Sequence, residues 1–517
     1  MTVFRIKIIP EDKIVKASSG ENLKEALDKR LERQFPQNCS GKGRCGFCRV
    51  RFIGDAPQMT IRERELLGEN SPYRLACMHR VADNYEISIP SMREWLGGKK
   101  VTRFKVSPNV KGYGIAGDLG TTSIALYLIN LETGTVIEQT SFLNPQSVFG
   151  ADVMSRLEYA KEDNSRIQLY QAVNRGVAEG VKLLLKRGKI TPNEVITVII
   201  AGNTAMTHLF LGWGGEGLEK IPFRSPLEGR GCIPFNPENI GLGWDCDCEF
   251  FPVLGSFIGG DTTAGILSVD LDKSSAARLL IDFGTNGEIV LAYEGAISAC
   301  STAAGPAFEG VGMKSGMPAL KGAAHSFNET GEPIVFGGGK PVGICGSGYI
   351  SGIARLLREN LMEPSGLLRK DENGDRKWTI LPDNQNNSPV IDQDDIRKFQ
   401  LAKGAIAAGI KILCEEAGVA YDNIEKIYLT GSFGNYIDPA SAMETGLIPE
   451  LDLGQIEVID NAAGRGATLC LANPEVKARA LNLQQTIKII NLGDHPKFQD
   501  TYVEQMTFPK LSGIMGH

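Results

Sequence analysis

Short stretches of alternating apolar and polar residues open the chain and predict a small mixed domain. Val3–Ile9 and Ile14–Ala17 alternate as the two strands of a hairpin, because every second side chain of a strand lies on the same face. Phe47–Ile53 and Tyr85–Ile89 predict further strands. Three leucines at helical spacing predict a helix after the hairpin: Leu23, Leu27 and Leu31.

A second pattern begins after this region and occurs twice. An apolar strand, 115–118, runs into a Gly/Thr turn and returns as the strand 124–129. The same arrangement of strand, turn and strand recurs at 279–282 and 288–291. A third apolar strand, 427–429, runs into a glycine-containing turn. We expect the three turns to have related functions.

The length of 517 residues suggests three or four folding units at about 150 residues each. We expect a first domain at 1–92, a linker at 93–112, two larger units at 113–272 and 273–495, and a tail at 496–517. A composition of 42% apolar and 22% charged residues is that of a globular protein. It excludes a fully disordered chain and a fibrous repeat.

The charge balance argues against two classes of partner. Sixty-one acidic residues against 55 basic ones give a net charge of −6, so no basic excess indicates a nucleic acid or an anionic membrane. The first residues contain no apolar signal-peptide core, and no stretch approaches the roughly 18 apolar residues of a spanning helix. We expect a cytoplasmic protein.

The cysteines predict a metal centre near the start of the chain. Eleven cysteines are an odd number in a chain without a secretion signal, which favours metal binding or catalysis over disulfides. Cys39, Cys45, Cys48 and Cys77 have the spacing C-x5-C-x2-C-x28-C. A structural zinc site usually takes its ligands from two close pairs, and a Rieske centre needs two histidines.

This spacing resembles that of plant-type [2Fe–2S] ferredoxins, which use C-x4-C-x2-C and a distant fourth cysteine. The additional residue in the first loop is similar to the adrenodoxin-like branch of that family. The resemblance implies a β-grasp domain that holds a [2Fe–2S] cluster through all four cysteines. The glycines between the first three cysteines allow the sharp turns that such a loop needs.

The repeated turns carry the residue types of a phosphate site. Each begins with an aspartate at the end of a strand, which can hold Mg²⁺ directly or through water. Glycine lets the backbone approach phosphate oxygens, and threonine hydroxyl groups can donate to them. The two turns contain Asp118, Gly120, Thr121 and Thr122, and Asp282, Gly284, Thr285 and Asn286; the third contains Gly431, Ser432 and Gly434. Purely structural hairpins are the alternative reading.

The order of these three turns resembles the superfamily of acetate and sugar kinases, 70-kDa chaperones and actin (the ASKHA fold). The resemblance implies two duplicated α/β lobes that close over Mg²⁺-ATP, with 113–272 as lobe I and 273–495 as lobe II. The first two turns would contact the phosphates and the third the adenosine. A stripe of small residues followed by Gly418 predicts a helix that crosses closely under the cleft: Ala402, Ala405, Ile406, Gly409 and Leu413.

Rival nucleotide motifs do not fit. Residues 112–117 match G-x-G-x-x-G by letter, but a hairpin follows them, whereas a Rossmann turn must open a helix. No P-loop sequence of the form G-x4-G-K-[ST] occurs.

A cluster domain followed by an ATPase resembles the reductive activators of corrinoid-dependent methyltransfer systems. The segments that carry the likeness are the four cysteines, 282–288 and 300–310. The resemblance implies an external electron donor and a corrinoid protein as partner, whose inactive Co(II) is reduced to Co(I) by ATP-dependent electron transfer from the cluster. Some members carry a further domain between the halves, so homodimer formation stays open here.

The same resemblance suggests roles for individual residues. Asp118 and Asp282 would serve Mg²⁺-ATP. Glu288 is a candidate general base, with a position that only faces the sheet as the alternative. Ser301 is a candidate for contact with the corrinoid face. Two other functions stay open: an activator of another low-potential enzyme such as a radical dehydratase, and a redox-sensing small-molecule kinase or nucleotide-gated binding protein.

A few further segments have chemistry of their own. The residues after strand 200–202, from Asn203 to His208, could reach into the cleft, with His208 equally a core residue. Asp261 lies in a predicted exposed acidic turn, as an Mg²⁺ or hinge element. Cys246 and Cys248 could bind a metal, but no second pair lies nearby in the sequence.

Overall fold

The computed structural model describes most of the chain. The described residues are 2–9, 13–31, 43, 48–67, 71, 73–89, 104, 110–150, 152–310, 312–319, 321–381, 388–431 and 436–510, without the side chains of 65–67 and 306. Most of the predicted linker, the last residues of the predicted tail, and four predicted site residues lie outside this part: Cys39, Cys45, Ser432 and Gly434.

The N-terminal domain is a five-stranded sheet with two helices. The strand order is β2-β1-β5-β3-β4. Its elements are β1 (Val3–Ile9), β2 (Lys13–Ser18), α1 (Leu23–Arg30), β3 (Arg49–Phe52), α2 (Ile61–Leu67), β4 (Tyr73–Leu75) and β5 (Tyr85–Ser88). The predicted hairpin, helix and two later strands are confirmed. Asn22 caps α1 through its side chain, and the buried leucines of the helix cover the sheet.

Lobe I is built on a six-stranded sheet of order β10-β11-β9-β6-β7-β8. Its strands are β6 (Tyr113–Leu119), β7 (Ser123–Asn130), β8 (Thr135–Leu143), β9 (Val195–Gly202), β10 (Ile233–Pro234) and β11 (Asp247–Phe250). Its helices are α3 (Val153–Tyr159), α4 (Asp163–Gly188), α5 (Thr204–Phe210) and α6 (Gly260–Ser268).

Lobe II has a second six-stranded sheet, of order β21-β20-β12-β13-β14-β22. Its strands, with those of two small additional sheets, are β12 (Ala277–Phe283), β13 (Gly287–Tyr293), β14 (Ala296–Thr302), β15 (Ala323–Phe327), β16 (Pro333–Val335), β17 (Gly343–Ile344), β18 (Lys377–Thr379), β19 (Val390–Asp392), β20 (Ile424–Thr430), β21 (Ile456–Val458) and β22 (Lys488–Ile489). Its helices are α7 (Gly346–Arg358), α8 (Gln393–Ala417), α9 (Pro439–Glu444), α10 (Ala462–Ala472), α11 (Pro474–Thr486) and α12 (Phe498–Gln505).

The two large sheets share one topology at their centres. In lobe I, β6 pairs antiparallel with β7 and parallel with β9. In lobe II, β12 pairs antiparallel with β13 and parallel with β20. Each central strand therefore delivers its aspartate to the same edge of its sheet, and the repeated sequence pattern corresponds to a repeated fold.

The lobes share a hydrophobic core formed around α6 and α10. Side chains of both sheets and both helices pack in one cluster, in which Ile199 of lobe I and Leu280 of lobe II are each 2% exposed. A Cβ at Gly466 of α10 would collide with the Ala264 carbonyl oxygen of α6. Glycine is therefore what allows this helix crossing.

The small-residue stripe lies in α8 and confirms the predicted long helix. A Cβ at Gly409 would lie 2.7 Å from Ile289 Cδ1 of β13, so the missing side chain lets the helix approach the sheet. Gly418 ends the helix in the left-handed region with φ 68°. From the predicted tail, α12 lies against α8, and Phe508 is 2% exposed. None of the helices in the described ranges is long and apolar enough to cross a membrane.

Candidate functional site

The two aspartate hairpins are tight turns at the ends of β6 and β12. The Gly120 N–H donates to the Ser123 carbonyl oxygen at 3.0 Å. A Cβ at Gly120 would lie 2.7 Å from that same oxygen, so only glycine fits. In the second hairpin, the Gly284 N–H donates to the Asn286 carbonyl oxygen at 3.0 Å. Both turns thus have the compact backbone that a phosphate-binding loop needs.

Gly431, the first glycine of the third turn, lies directly against the second hairpin. Its φ is +106°, in the region that disfavours side chains. A Cβ there would lie 2.5 Å from Asp282 Oδ1 and would collide with the Phe283 carbonyl oxygen. The structure therefore brings the second and third predicted turns together.

Four carboxyl groups gather between the lobes: Asp118, Asp261, Asp282 and Glu288. Burial, with the neighbouring carboxylates of Asp261 and Asp282, raises the pKa of Asp118 to about 8. Burial and Asp261 raise the pKa of Asp282 to about 7, and burial raises the pKa of Asp261 to about 6. Burial and the two neighbouring aspartates also hold the pKa of Glu288 well above its usual range. Because these buried carboxylates repel one another, the group favours the binding of a cation that would neutralise their charge.

These carboxylates fit Mg²⁺ only together with other ligands. Within the described ranges, no group of three or more His, Cys, Asp or Glu residues is close enough to hold a metal ion alone. Mg²⁺ in nucleotide sites usually takes one or two carboxylates and fills its octahedron with water and phosphate oxygens. The carboxylates between the lobes fit a site of this kind, in which water and phosphate oxygens supply the remaining ligands.

Asp261 was predicted in an exposed turn, which is wrong. It lies in the first turn of α6, and the side of this turn next to Gly260 packs on Phe251. Its carboxylate belongs to the group between the lobes, because burial first and the charge of Asp261 second raise the pKa of both Asp118 and Asp282.

Asn461, Asn203 and Asn144 make hydrogen bonds to the first hairpin. The sequence analysis named Asn203 but not the other two. Asn461 begins α10 with φ +40° and donates from Nδ2 to Asp118 Oδ2 at 2.9 Å. Asn203 donates to Thr121 Oγ1 at 2.9 Å, and Asn144 donates to the Gly120 carbonyl oxygen at 2.9 Å. The sequence placed Asn203 at the end of a strand facing the cleft, and this contact agrees with that prediction.

Glu309 links the two hairpins and was also missed as a site residue. It ends a short 3₁₀ turn, Pro306–Glu309. Its Oε1 accepts from Thr285 Oγ1 at 2.7 Å, and its Oε2 accepts from Thr122 Oγ1 at 3.2 Å. Burial raises the pKa of Glu309, although the two hydroxyl donors and the Arg156 guanidinium oppose this shift.

Ser301 lies on β14 beside this group. Its hydroxyl donates to Glu288 Oε1 at 3.4 Å. It also lines a cavity of about 400 Å³ whose wall includes Phe223 and Phe257 of lobe I and Ile489 of lobe II. Ser301 is therefore open to a surface cavity on one side and to the carboxylates on the other.

The two described cysteines of the cluster motif lie on adjacent segments. The Ala76 N–H donates to the Cys48 carbonyl oxygen at 2.7 Å, which brings Cys77 beside Cys48. Cys48 is buried and Cys77 is partly buried, in a chain segment folded as a five-stranded sheet. The segment agrees with a cluster site, while Cys39 and Cys45 lie outside the described residues.

Several other candidate residues have packing roles. His208 is fully buried, and its Nε2 lies 2.8 Å from Ser225 Oγ. Cys300 and Cys345 are almost fully buried among apolar side chains. Cys246 and Cys248 are buried with their sulfurs 3.7 Å apart. No further metal ligand approaches them among the described residues.

Family models match three consecutive parts of the chain. A 2Fe-2S iron-sulfur cluster binding domain matches residues 6–82. The RACo middle region matches residues 113–274, and the C-terminal domain of RACo, the ASKHA domain, matches residues 276–514. Their order is that of the sheets described above.

Relatives and a solved structure agree with these matches. The chain is 35% identical to the "Corrinoid activation enzyme RamQ" of Eubacterium limosum, over 77% of this chain and 70% of that protein. It is 28% identical to the "[Co(II) methylated amine-specific corrinoid protein] reductase" of Methanosarcina barkeri, over 65% of this chain and 66% of that protein. A solved "Reductive activator for corrinoid,iron-sulfur protein" superposes with a TM-score of 0.68 at 25% identity, covering 98% of both chains. The chain therefore belongs to the family of reductive activators of corrinoid proteins, in which a [2Fe–2S] domain precedes an ASKHA domain.

Proposed function

We propose that this protein reduces the inactive Co(II) state of a corrinoid protein to Co(I), using ATP and a [2Fe–2S] cluster. The observation that carries the proposal is the presence, in one chain, of a cluster-binding domain and two hairpins that place Asp118 and Asp282 at one cleft. One relative named for corrinoid activation and one named as a reductase of a Co(II) corrinoid protein support it, because they match 77% and 65% of the chain.

The N-terminal domain would hold the cluster through Cys39, Cys45, Cys48 and Cys77. When bound, the cluster supplies single electrons that it has received from an external donor. The domain's own task is to fix the loop that carries the ligands. Glu63 does part of this, because its Oε1 accepts from the Leu75 N–H at 2.6 Å, just before Cys77.

The ASKHA part would bind Mg²⁺-ATP in the cleft. Asp118 and Asp282 supply the negative charge for Mg²⁺, and the backbone of Gly120 and Gly284 can approach the phosphates closely. The turn that begins at Gly431 would face the adenosine. Bound nucleotide would draw the lobes together, because each lobe contributes one hairpin.

Closure would couple ATP to the partner. We place the corrinoid face at the mouth of the cavity that Ser301 lines, where a change in the axial ligation of cobalt would ease its reduction. Cobalt(I) takes fewer axial ligands than cobalt(II), so removal of one favours the reduced state. The proposal includes a corrinoid protein as partner, an external electron donor and a cytoplasmic location, and it holds for a single chain or for a homodimer.

The decisive experiment mixes the anaerobically reduced protein with a Co(II) corrinoid protein and follows the absorbance of Co(I). We expect Co(I) with ATP and none with a non-hydrolysable analogue. Equal Co(I) formation without nucleotide would contradict ATP coupling. Iron and sulfide counts should give two of each per chain, as [2Fe–2S] requires; a [4Fe–4S] content would instead indicate a dehydratase-type activator. Phosphorylated small molecules in place of free phosphate would indicate a kinase.

The assignment of Ser301 has its own test. We expect Ser301→Ala to change the visible spectrum of the complex with the Co(II) corrinoid protein and to slow reduction, while ATP turnover is kept. An unchanged spectrum together with an unchanged reduction rate would remove Ser301 from the contact.

A further inference from the structure

Glu309 occupies the point where the two hairpins meet. Its carboxylate oxygens accept one hydroxyl from each lobe, Thr122 Oγ1 at 3.2 Å and Thr285 Oγ1 at 2.7 Å. The partner Thr122 is 187 residues away in the chain. A carboxylate that spans both hairpins lies next to any phosphoryl group that the same two hydroxyls contact.

Arg156 provides a buried positive charge near this carboxylate. It is 0% exposed, and its Nε donates to the Gly150 carbonyl oxygen at 2.9 Å. Its Nη2 has no hydrogen-bond partner among the described residues. Burial raises the pKa of Glu309, and the two threonine hydroxyls and the charge of Arg156 oppose this shift and so favour the ionised form. The guanidinium thus favours a negative charge on Glu309, and its Nη2, which has no partner among the described residues, remains able to bind an anion.

Glu288, the candidate general base suggested by the sequence, is less suited to that task. It receives the Ser301 hydroxyl at 3.4 Å, and burial with the neighbouring Asp261 and Asp282 holds its pKa well above its usual range. A carboxyl group in that environment holds its proton until a cation arrives. Its oxygens are then engaged with the cation rather than with a water molecule at the terminal phosphate.

We infer that Glu309 is the residue that orients the attacking water and accepts its proton when ATP is hydrolysed. This inference rests on the proposed function, because it requires ATP in the cleft. The Thr122 and Thr285 hydroxyls turn from Glu309 to the phosphate oxygens when nucleotide binds, which frees the carboxylate to accept from water.

Water, ATP and the Glu309 carboxylate are the only reacting groups that this hydrolysis needs. The water oxygen forms a bond to the γ-phosphorus, and the bond between this phosphorus and the β,γ-bridging oxygen breaks. The electron pair of that bond leaves with ADP. One water proton passes to a Glu309 oxygen and then to solvent, and inorganic phosphate is released.

The test uses Glu309→Gln in the full-length protein. The amide can still accept from one threonine but cannot take a proton at neutral pH. We expect a fall in ATP turnover of about 100-fold or more, the usual scale of general-base catalysis, with retained nucleotide binding. After desalting, the variant should still hold unhydrolysed ATP, whereas the unaltered protein should hold ADP.

Glu329→Gln is the matched control. Glu329 lies on the exposed turn between β15 and β16, and its substitution makes the same change of charge away from the cleft. We expect wild-type turnover and wild-type nucleotide content. A structural effect of the charge change alone would appear in both variants.

The outcomes separate this inference from the proposed function. If the unaltered protein hydrolyses no ATP, the proposed function fails. If it hydrolyses ATP and Glu309→Gln does so at the same rate, or loses nucleotide binding, only the assignment of Glu309 fails. Should Glu309→Gln not fold, Glu309→Asp decides: a shorter carboxylate should bind ATP and turn it over at least about 10-fold more slowly, and wild-type turnover would overturn the inference.

Discussion

Gly431 lies where the third glycine turn touches the second aspartate. We expect Gly431→Ala to weaken ATP binding strongly, because a Cβ would lie 2.5 Å from Asp282 Oδ1 and force that carboxylate to move. The positive φ adds about 1–2 kcal/mol of backbone strain. Isothermal titration with ATP and thermal unfolding measure the two effects separately.

Gly418→Ala is the control for the strain alone. Gly418 has φ +68° at the end of α8, and a Cβ there would meet nothing within 4 Å. We expect a loss of stability of about 1–2 kcal/mol and unchanged ATP affinity. Equal ATP affinities in the two variants would contradict the close approach of the third turn to Asp282.

Glu63 holds together the segment that carries Cys77. Its Oε1 accepts from the Leu75 N–H at 2.6 Å and lies 2.7 Å from His79 Nε2, while Oε2 accepts from the Thr60 N–H at 2.8 Å. We expect Glu63→Ala to destabilise the N-terminal domain by about 3 kcal/mol, since it leaves buried donors without partners. Loss of the visible absorbance of the cluster on heating measures this.

The reference for that change is Glu86→Ala, on the exposed face of β5. We expect it to leave the melting of the cluster absorbance within a few degrees of the unaltered protein, since exposed substitutions usually change stability by about 0.5 kcal/mol or less. ATP turnover should be the same in both variants, because Glu63 makes its contacts within the N-terminal domain.

Some residues of the cleft could be predicted from the sequence, and others could not. Asp118 and Asp282 could be predicted because each ends an apolar strand before a glycine turn, a local signal. Asn461 and Glu309 could not, because their contacts with the first hairpin span 343 and 187 residues. No local pattern reports such contacts; they exist only once both lobes have folded.

At the scale of elements, α8 depends on the C-terminal segment that packs beside it. Lys403 is 1% exposed, and its Nζ donates to the Thr507 carbonyl oxygen at 2.8 Å and lies over the Phe508 ring. Burial lowers the pKa of Lys403 to about 8. The folded protein therefore releases this proton near pH 8, while the unfolded chain keeps it up to about pH 10.5.

This difference predicts a pH dependence with a definite sign. Between pH 8 and about 10.5 the unfolded chain binds more protons than the folded one, so the contribution of Lys403 to stability rises with pH. We expect Lys403→Met to remove this rise. Urea unfolding at intervals from pH 7 to pH 10 measures it as the difference between variant and unaltered protein.

Lys411→Met is the control on the same helix. Lys411 is partly exposed and pairs with Glu504 of α12 at 2.7 Å. Its substitution should keep the rise in stability of the unaltered protein above pH 8. A slope that is lost in both variants would show that the rise does not come from the buried lysine.

Helices and strands could be predicted from the sequence where apolar or small residues recur at a regular spacing. The stripe from Ala402 to Leu413 predicted α8 because small residues at helical spacing fit a close helix crossing. The sequence did not predict the helix that contains Asp261, because the two glycines before this residue locally favour a turn. In the structure they instead allow the start of α6 to pack on Phe251, a tertiary contact that outweighs the local preference.

At the scale of the whole molecule, two kinds of contact join the lobes. The packing of α6 on α10 gives them a shared hydrophobic core, and Asn461 and Glu309 join them at the hairpins through hydrogen bonds to Asp118 and Thr122. If nucleotide binds between the hairpins as proposed, we expect it to move them while the shared core stays packed.

The cluster cysteines and the aspartates of the cleft lie in different domains. We therefore expect a substitution in one domain to leave the activity of the other domain intact. Cys77→Ser should lose the cluster and form no Co(I), yet keep ATP turnover with the corrinoid protein present. Asp282→Asn should keep the electron paramagnetic resonance signal of the reduced cluster, yet lose ATP turnover and Co(I) formation. Both measurements use the full chain under anaerobic conditions.

A mixture of the two variants then asks whether the halves must belong to one chain. Because closure acts on the cleft of the chain whose hairpins hold the nucleotide, we expect the mixture to form no Co(I). Recovery of activity in the mixture would show instead that the cluster of one chain serves the ATPase of another. Such a result would establish that electrons can pass from the cluster of one chain to a corrinoid protein that another chain activates.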